Sequence, residues 1–235
     1  MEDSVIIKIE QLTKRFHVGT GEFTALHNIK LTFRKGEFTG LVGPSGSGKT
    51  TLLNIIGTLD HPSDGLVEVI GQSVSGLTNK QSAHLRNYNI GFIFQTYNLL
   101  PVYTVFENIE FALLLQKRTS TERKKAVMEA LDWVGLTDKL RSKPSQLSGG
   151  ECQRVAIARA MVKRPVLVLA DEPSANLDAK NSHNIVQTMK KLNRELNTTF
   201  IFATHDEKVM QYLDRIITLK DGMVDNDKLI LTGEN

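Results

Sequence analysis

The 235-residue sequence predicts an α/β fold in which a largely parallel sheet carries a small antiparallel sheet and a helical insert. The first observation is a set of short apolar runs without polar alternation, which is typical of parallel strands buried on both faces. The second is that amphipathic helical patterns separate these runs, and this alternation favours a sheet with crossover helices. The runs lie at residues 38–42, 90–94, 166–170, 200–203 and 216–219.

The third observation is that two regions interrupt this alternation. Residues 1–35 and 65–76 alternate apolar and polar side chains between turn residues, which predicts a small antiparallel sheet. Residues from about 98 to 163 show helical patterns and no convincing strand, which predicts a helical insert. We therefore expect one domain over residues 1–235, with a core and β subdomain at about 1–97 and 164–235 and an α-helical subdomain at about 98–163.

Two helices in this scheme have well-marked ends. Thr119 and Glu122 have the spacing of a capping box, in which each side chain satisfies a backbone N–H of the first helical turn. Residues 179–196 carry one apolar stripe at helical spacing, and Asp178 precedes them as a helix N-cap. The sequence thus predicts one helix inside the insert and one after it.

Composition and charge exclude several classes of protein. The net charge is only +3, without the clustered basic excess of a nucleic-acid-binding face, so we expect no nucleic acid partner. The single cysteine, Cys152, excludes an internal disulfide framework and fits a reducing compartment. No stretch approaches the ~20 apolar residues that cross a bilayer, and residues 1–4 lack a signal-peptide pattern. We therefore expect a cytoplasmic chain that reaches a membrane only through a partner.

A glycine-rich segment, Gly43-Pro44-Ser45-Gly46-Ser47-Gly48-Lys49-Thr50, lies between a predicted strand and a predicted helix. Glycines let backbone N–H groups surround phosphates without a Cβ clash, and a helix N-terminus adds partial positive charge. Lys49 can reach the β- and γ-phosphates, and the Thr50 hydroxyl can bind Mg²⁺. This is the Walker A pattern of a P-loop NTPase with a RecA-like core. The candidate nucleotide-binding residues here are Gly43, Ser45, Gly46, Ser47, Gly48, Lys49, Thr50 and Thr51.

A second chemical signal is the apolar run at 166–170, which ends in two carboxylates, Asp171 and Glu172. In P-loop ATPases the carboxylate at the strand end holds Mg²⁺, directly or through water. The following carboxylate can then act as the general base that polarises the attacking water. These residues predict ATP hydrolysis with Asp171 at the metal and Glu172 at the water.

A second candidate anion site begins at Ser148, which forms a capping-box pattern with Glu151 at the start of a predicted helix. Gly149 and Gly150 would permit close approach of an anion to this helix N-terminus. One chain does not need two such sites for one triphosphate, so this redundancy indicates a partner subunit.

With these motifs in order, the chain closely resembles the nucleotide-binding subunits of ABC (ATP-binding cassette) transporters over essentially its whole length. Residues 147–151 resemble the ABC signature, Gln95 the Q-loop glutamine and His205 the switch histidine. Residues 174–178 resemble the D-loop, and Phe16 falls at the aromatic position that stacks on adenine. Tyr is more usual there, and a Phe at this position could instead belong to the core.

The resemblance implies a head-to-tail homodimer that encloses two ATP molecules with Mg²⁺. Each ATP would lie between the Walker A loop of one subunit and Ser148, Gly149 and Gly150 of the other. Gln95 would sense Mg²⁺ or the attacking water, and His205 would contact the γ-phosphate. The implied catalytic residues are Glu172, His205 and Gln95, and the implied metal-binding residues are Thr50, Gln95 and Asp171.

Residues 54–60 and 91–101 resemble one branch of the family, the lipoprotein-releasing, macrolide-exporting and antimicrobial-peptide-resistance ATPases. This branch implies an integral membrane permease with four transmembrane helices and a large extracytoplasmic domain, and a location at the cytoplasmic face of the inner or plasma membrane. Two alternatives remain open at this point. One is a cell-division-type ATPase that regulates an extracytoplasmic enzyme without transport, and the other is a soluble ABC ATPase.

Overall fold

The computed structural model describes residues 4–19 and 21–230, which form two sheets and a set of helices. The strands are β1 (Val5–Val18), β2 (Gly21–Arg34), β3 (Phe38–Val42), β4 (Asp64–Val69), β5 (Gln72–Ser73), β6 (Ile90–Phe94), β7 (Leu167–Asp171), β8 (Thr199–Thr204), β9 (Arg215–Lys220) and β10 (Met223–Leu229). The α-helices are α1 (Lys49–Ile56), α2 (Asn79–Asn89), α3 (Val105–Glu110), α4 (Ser120–Trp133), α5 (Gly149–Met161), α6 (Ala179–Leu196) and α7 (Glu207–Met210).

The larger sheet has six strands in the order β10-β9-β3-β8-β7-β6. Its pairs from β9 to β6 are all parallel, and only β10 runs antiparallel, at the edge. The five predicted runs are the five parallel strands, so the predicted fold class is confirmed. Because parallel strands end at the same edge, the loops after β3, β6, β7 and β8 meet on one side of the sheet.

The smaller sheet has four strands in the order β2-β1-β4-β5, and every pair in it is antiparallel. The long strands β1 and β2 pair from Val5↔Arg34 to Val18↔Gly21. Their alternating buried side chains face the larger sheet, as the alternation in the sequence predicts. This sheet brings the end of the β1–β2 hairpin towards the loop after β3.

Within residues 98–163 the structure contains helices and no strand. The capping boxes that the sequence predicts are formed at α4, by Thr119 with Glu122, and at α5, by Ser148 with Glu151. Helix α5 ends at Met161, and Arg164 follows it in a left-handed conformation (φ 52°). This conformation, two residues after the C-cap Val162, turns the chain towards β7.

Two hydrophobic cores lie on opposite faces of the larger sheet. In β8, Phe200 and Phe202 join a core with helices α3 to α6, whereas Ile201 and Ala203 join a core with α1 and the smaller sheet. This alternation is what a strand covered on both faces requires, since successive side chains point to opposite sides. The helical region and the smaller sheet are therefore both anchored to the same parallel sheet.

Candidate active site

The loop between β3 and α1 has a backbone that suits only glycine at two positions. Gly43 and Gly48 have φ values of 148° and 98°, in the region that side chains disfavour. A Cβ on Gly43 would lie 2.1 Å from the carbonyl oxygen of Leu219, and one on Gly48 would lie 2.7 Å from a methyl carbon of Leu26. The glycines therefore let the loop curl against neighbouring strands and direct N–H groups towards its centre, as a phosphate site requires.

Lys49 is the first residue of α1, and its side chain reaches across this loop. Its side chain is buried, and Nζ donates hydrogen bonds to the carbonyl oxygens of Gly43 and Pro44 at 2.8 and 2.9 Å. The Ser47 hydroxyl oxygen is buried without a hydrogen-bond partner among the described residues. A buried cation and an unpaired hydroxyl at a helix N-terminus together favour an anionic ligand.

Opposite the loop, Asp171 ends β7 and meets Thr50. The Thr50 hydroxyl donates to the two carboxylate oxygens of Asp171, at 3.1 and 3.3 Å. Burial raises the pKa of Asp171, although the Thr50 hydrogen bond and the nearby Lys49 charge act against this rise. Carboxylate and hydroxyl oxygens are donors that Mg²⁺ prefers, so this pair fits a magnesium ion. In the part of the chain that is described, no group of three His, Cys, Asp or Glu side chains is placed to hold a metal ion, so such an ion would need phosphate or water ligands too.

Glu172 and His205 form a pair beside Asp171. Glu172 Oε1 lies 2.7 Å from His205 Nδ1, and Glu172 Oε2 is buried with no partner within the described residues. Glu172 has a left-handed backbone (φ 48°), which is held by its N–H donating to the Ala203 carbonyl at 2.9 Å. Uncommon backbone conformations of this kind cluster at functional sites. One carboxylate oxygen is thus oriented by histidine, and the other is left for a further hydrogen bond.

Gln95 follows β6 and lies at the side of the same site. Its Nε2 lies 3.4 Å from Asn176 Oδ1, and Asn176 Nδ2 donates to the Gln95 carbonyl oxygen at 3.0 Å. The Gln95 side chain is thus held by the 174–178 loop while lining the same cleft as Asp171 and Thr50. The sequence predicted Gln95 and this loop as separate motifs and did not predict that they bind each other.

These groups line one cleft of about 610 Å³. Its lining residues are Phe16, Phe23, Ala25, Pro44, Ser45, Gly46, Ser47, Gly48, Lys49, Thr50, Thr51, Gln95, Asp171, Glu172 and His205. The sequence reasoning missed Phe23 and Ala25, and it placed Pro44 in the phosphate-loop pattern without counting it among the binding residues. Phe23 is the cross-strand partner of Phe16 in the β1–β2 hairpin, and this pairing was the signal that could have identified it.

Phe16 lies at the entrance of the cleft and is 38% exposed. Lys14, two residues before it, has Nζ 4.8 Å from the centroid of the Phe16 ring and donates to Asp60 at 2.6 Å. A cation above a ring is attracted to its π-face. The contact with Lys14 therefore supports the ring, which is not part of the core.

Ser148, Gly149 and Gly150 do not line this cleft. Ser148 accepts a hydrogen bond from the Glu151 N–H at 3.3 Å, and its own N–H donates to Glu151 Oε2 at 2.8 Å. Within one chain, the start of α5 is thus a separate site. This separation is what an arrangement between two subunits requires.

Comparison with known proteins agrees with this geometry. Residues 26–175 match the family model described as "ABC transporter". The lipoprotein-releasing system ATP-binding protein of Bacteroides thetaiotaomicron is 44% identical over 222 residues, which cover 94% of this chain and all of that protein. An ABC transporter ATP-binding protein of Methanocaldococcus jannaschii is 42% identical over 227 residues, covering 95% of this chain and 97% of that protein.

Solved structures of the same M. jannaschii protein are similar as well. A dimeric structure of this transporter cassette superposes with a TM-score of 0.89 at 42% identity, covering 97% of this chain and 100% of the other. A dimeric post-hydrolysis state bound to ADP and phosphate gives a TM-score of 0.89 at 41% identity, with the same coverage. The fold of this chain thus agrees with that of the relatives it matches in sequence.

Proposed function

The chain belongs to the ABC transporter family as an ATP-hydrolysing subunit, and from this premise we propose that it energises a membrane permease of the lipoprotein-releasing type. The observation that carries the hydrolytic part is the Glu172–His205 pair, which adjoins Asp171 and faces the phosphate loop. The relatives named as lipoprotein-releasing system proteins support the type of complex. The cleft and the family support ATP as the nucleotide.

In this proposal the residues of the cleft divide the work at the γ-phosphate between them. The loop N–H groups and Lys49 stabilise the negative charge that the phosphates carry and develop. Thr50, Asp171 and Gln95 would hold Mg²⁺, which would neutralise part of the charge on the phosphate oxygens. Glu172 accepts a proton from the attacking water, while His205 contacts the γ-phosphate and keeps the carboxylate of Glu172 oriented.

The completed site needs a second copy of the chain. We place Ser148, Gly149 and Gly150 of one subunit against the ATP in the cleft of the other, because within one chain they lie outside that cleft. Phe16 would stack on the adenine, since stacking needs only the face of the ring. The dimeric cassette structures support a dimer, and its head-to-tail arrangement is part of this proposal.

Exposed apolar side chains on the helical region support a membrane partner. Between residues 102 and 115 these side chains are Val102, Tyr103, Phe111, Leu114 and Leu115, with exposures from 40% to 83%. The rings of Tyr103 and Phe111 lie 6.5 Å apart, so these two exposed side chains belong to one surface. Exposed apolar surface of this kind marks protein interaction sites. We assign it to the permease, which we expect to have four membrane spans and a large extracytoplasmic domain.

We also propose that the chain works at the cytoplasmic face of the inner or plasma membrane, bound to that permease. The helices in residues 4–19 and 21–230 include none with the length and apolar character that a bilayer span needs. The proposed attachment therefore depends on the permease.

The hydrolytic assignment is tested with Glu172→Gln. The amide has the shape of the carboxylate but cannot accept the proton, so we expect ATP binding to persist and hydrolysis to fall about 100-fold or more. Steady-state phosphate release and equilibrium binding of a fluorescent ATP analogue measure the two effects. Glu129→Gln, which removes an exposed carboxylate paired with Arg164, is the matched control. Wild-type hydrolysis by Glu172→Gln would refute the general-base role.

The partner is identified by purifying Glu172→Gln from solubilised membranes in the presence of ATP, followed by mass spectrometry. A four-span protein with a large extracytoplasmic domain is the expected result, and that domain would indicate the substrate. A many-span permease with a solute-binding protein would instead indicate import. Recovery of no membrane protein would contradict the proposal.

A further inference from the structure

The chain after β6 adopts an uncommon backbone, which we call the Gln95 loop (residues 95–98). Tyr97 and Asn98 both have left-handed conformations, with φ values of 60° and 49°. Two successive non-glycine residues of this kind are costly, and they persist only where the surroundings hold them. Within the loop, the backbone bonds are from Tyr97 N–H to Phe94 O at 3.2 Å and from Asn98 N–H to Thr96 O at 2.6 Å.

Arg159, near the end of α5, stabilises this backbone conformation through two hydrogen bonds. Its Nη2 donates to the Tyr97 carbonyl oxygen and its Nη1 to the Asn98 carbonyl oxygen, both at 2.6 Å. Among residues 4–19 and 21–230 no carboxylate pairs with Arg159, and burial lowers the pKa of its guanidinium. The planar fork of arginine thus fixes two consecutive carbonyl groups at once, which the point charge of lysine does less well.

The same loop contacts the other end of α5. A Cβ on Gly149 would lie 3.0 Å from the Tyr97 hydroxyl oxygen, so this hydroxyl packs against the first residue of the helix. Burial raises the pKa of Tyr97, as expected for a phenol covered by the helix start. The Gln95 loop therefore touches α5 at the residue that begins the helix and at Arg159, ten residues later.

We propose that Arg159 is a positioning residue that couples the Gln95 loop to helix α5 and so sets the position of Gln95 in the cleft. This inference rests on the proposed function, in which the start of α5 contacts the ATP of the partner subunit. When that contact moves α5, Arg159 carries the movement to the Tyr97 and Asn98 carbonyls. Asn176 donates to the Gln95 carbonyl oxygen at 3.0 Å, so the loop has a second anchor at its first residue.

The test uses the full chain with Arg159→Met, which keeps most of the side-chain volume and removes both donors. We expect kcat to fall about 10- to 100-fold, since a small displacement of a positioned group has effects of this size. Affinity for a fluorescent ATP analogue should change less than threefold, because the phosphate loop is untouched. Hydrogen exchange without nucleotide should speed up in residues 95–99 and stay unchanged in residues 43–50.

Two further variants separate positioning from general stability. Arg159→Lys keeps a donor that can reach one of the two carbonyls, so it should recover part of the lost kcat and part of the exchange protection. Arg164→Met removes a nearby but 57% exposed guanidinium and should behave like wild type in every measurement.

The outcomes are distinguishable from failure of the proposed function. If Arg159→Met hydrolyses ATP like wild type, or loses kcat only in proportion to nucleotide affinity, the coupling role is refuted while the proposed function stands. Unchanged exchange in residues 95–99 would refute it as well. A wild-type protein that hydrolyses no ATP, alone or with the permease, would refute the proposed function itself.

Discussion

At the residue scale, the site is built from polar groups whose partners are incomplete. Glu172 uses one carboxylate oxygen for His205 and leaves the other without a partner in the described structure. Ser47 likewise has an unpaired hydroxyl in the phosphate loop. Buried polar groups normally have hydrogen bonds, so these exceptions indicate where a ligand completes the network. The glycines of the loop make that network accessible to phosphate.

Gly43→Ala should destabilise the protein much more than Gly46→Ala. Both positions have left-handed φ values, 148° and 79°, but the new Cβ at position 43 would lie 2.1 Å from Leu219 O, whereas the one at position 46 has no heavy atom within 4 Å. We expect a loss of about 1 kcal/mol at position 46 from backbone strain alone. At position 43 we expect about 3 kcal/mol or more, because overpacking is added. Urea unfolding of both variants measures the difference, and equal losses would contradict it.

At the element scale, some of the fold is encoded locally and some is not. The capping boxes of α4 and α5, the phosphate loop and the buried parallel strands are all short patterns, and the sequence predicts each of them. Helix α2 was missed because few of its residues are apolar, although Thr78 and Gln81 form a capping box at its start. Its capping signal is as clear as that of α4.

Strand β10 and the position of Phe23 depend on pairing within a hairpin rather than on the composition of the strand itself. Residues 225–228 of β10 are polar and have weak strand propensity. The strand forms because it pairs with β9, and Arg215 donates to both carboxylate oxygens of Asp227 across the pair. Phe23 faces the cleft only because the β1–β2 register places it opposite Phe16. In both cases the signal lies in the turn and the register of the hairpin rather than in the strand propensity of the residues.

The junction of α5 and α2 should make stability depend on pH above neutrality. Lys163 Nζ donates to the Arg86 carbonyl oxygen at 2.6 Å, and burial, together with the Arg86 charge, lowers the pKa of Lys163 from 10.5 to about 8. Between about pH 8 and pH 10.5 the unfolded chain binds more protons than the folded chain, so the free energy of unfolding rises with pH. Below pH 8 both states are protonated, and the full cost of the buried charge remains.

Lys163→Met removes this dependence. The variant should gain stability relative to wild type at pH 7, and the gain should shrink as pH rises from about 8 to 10.5, by roughly 3 kcal/mol at most. Urea unfolding of both proteins at each pH gives the difference. Lys125→Met, at an exposed lysine of α4, is the control and should follow wild type. A difference that does not vary with pH would show that Lys163 is not desolvated in the folded protein.

At the scale of the whole molecule, loops at one edge of the parallel sheet form the cleft, whereas helix α5 begins outside it. The loops after β3, β6, β7 and β8 supply the phosphate loop, Gln95, the two carboxylates and His205. Ser148 is the N-cap of α5 and lies outside this cleft, so it does not line the nucleotide site of its own chain. The second subunit of the proposed dimer gives both surfaces a partner, which explains why one chain carries two helix N-termini suited to anions.

Ser148 and Thr119 allow this assembly to be tested against a matched control. Both residues cap a helix through the same capping box, with the hydroxyl 3.3 Å from the N–H of the glutamate three residues later. Alanine at either position should therefore cost about 1 kcal/mol of stability. Only Ser148 should contact the partner's ATP, so only Ser148→Ala should weaken the dimer.

The measurement is light scattering of both variants in the Glu172→Gln background with ATP and Mg²⁺. In this background ATP is hydrolysed too slowly to dissociate the dimer. We expect Ser148→Ala to raise the dimer dissociation constant about tenfold or more, because each dimer loses two hydrogen bonds to charged phosphate. Thr119→Ala should leave that constant unchanged while lowering thermal stability equally. Equal weakening by both substitutions would assign the effect to helix capping, and no weakening by Ser148→Ala would exclude it from the nucleotide interface.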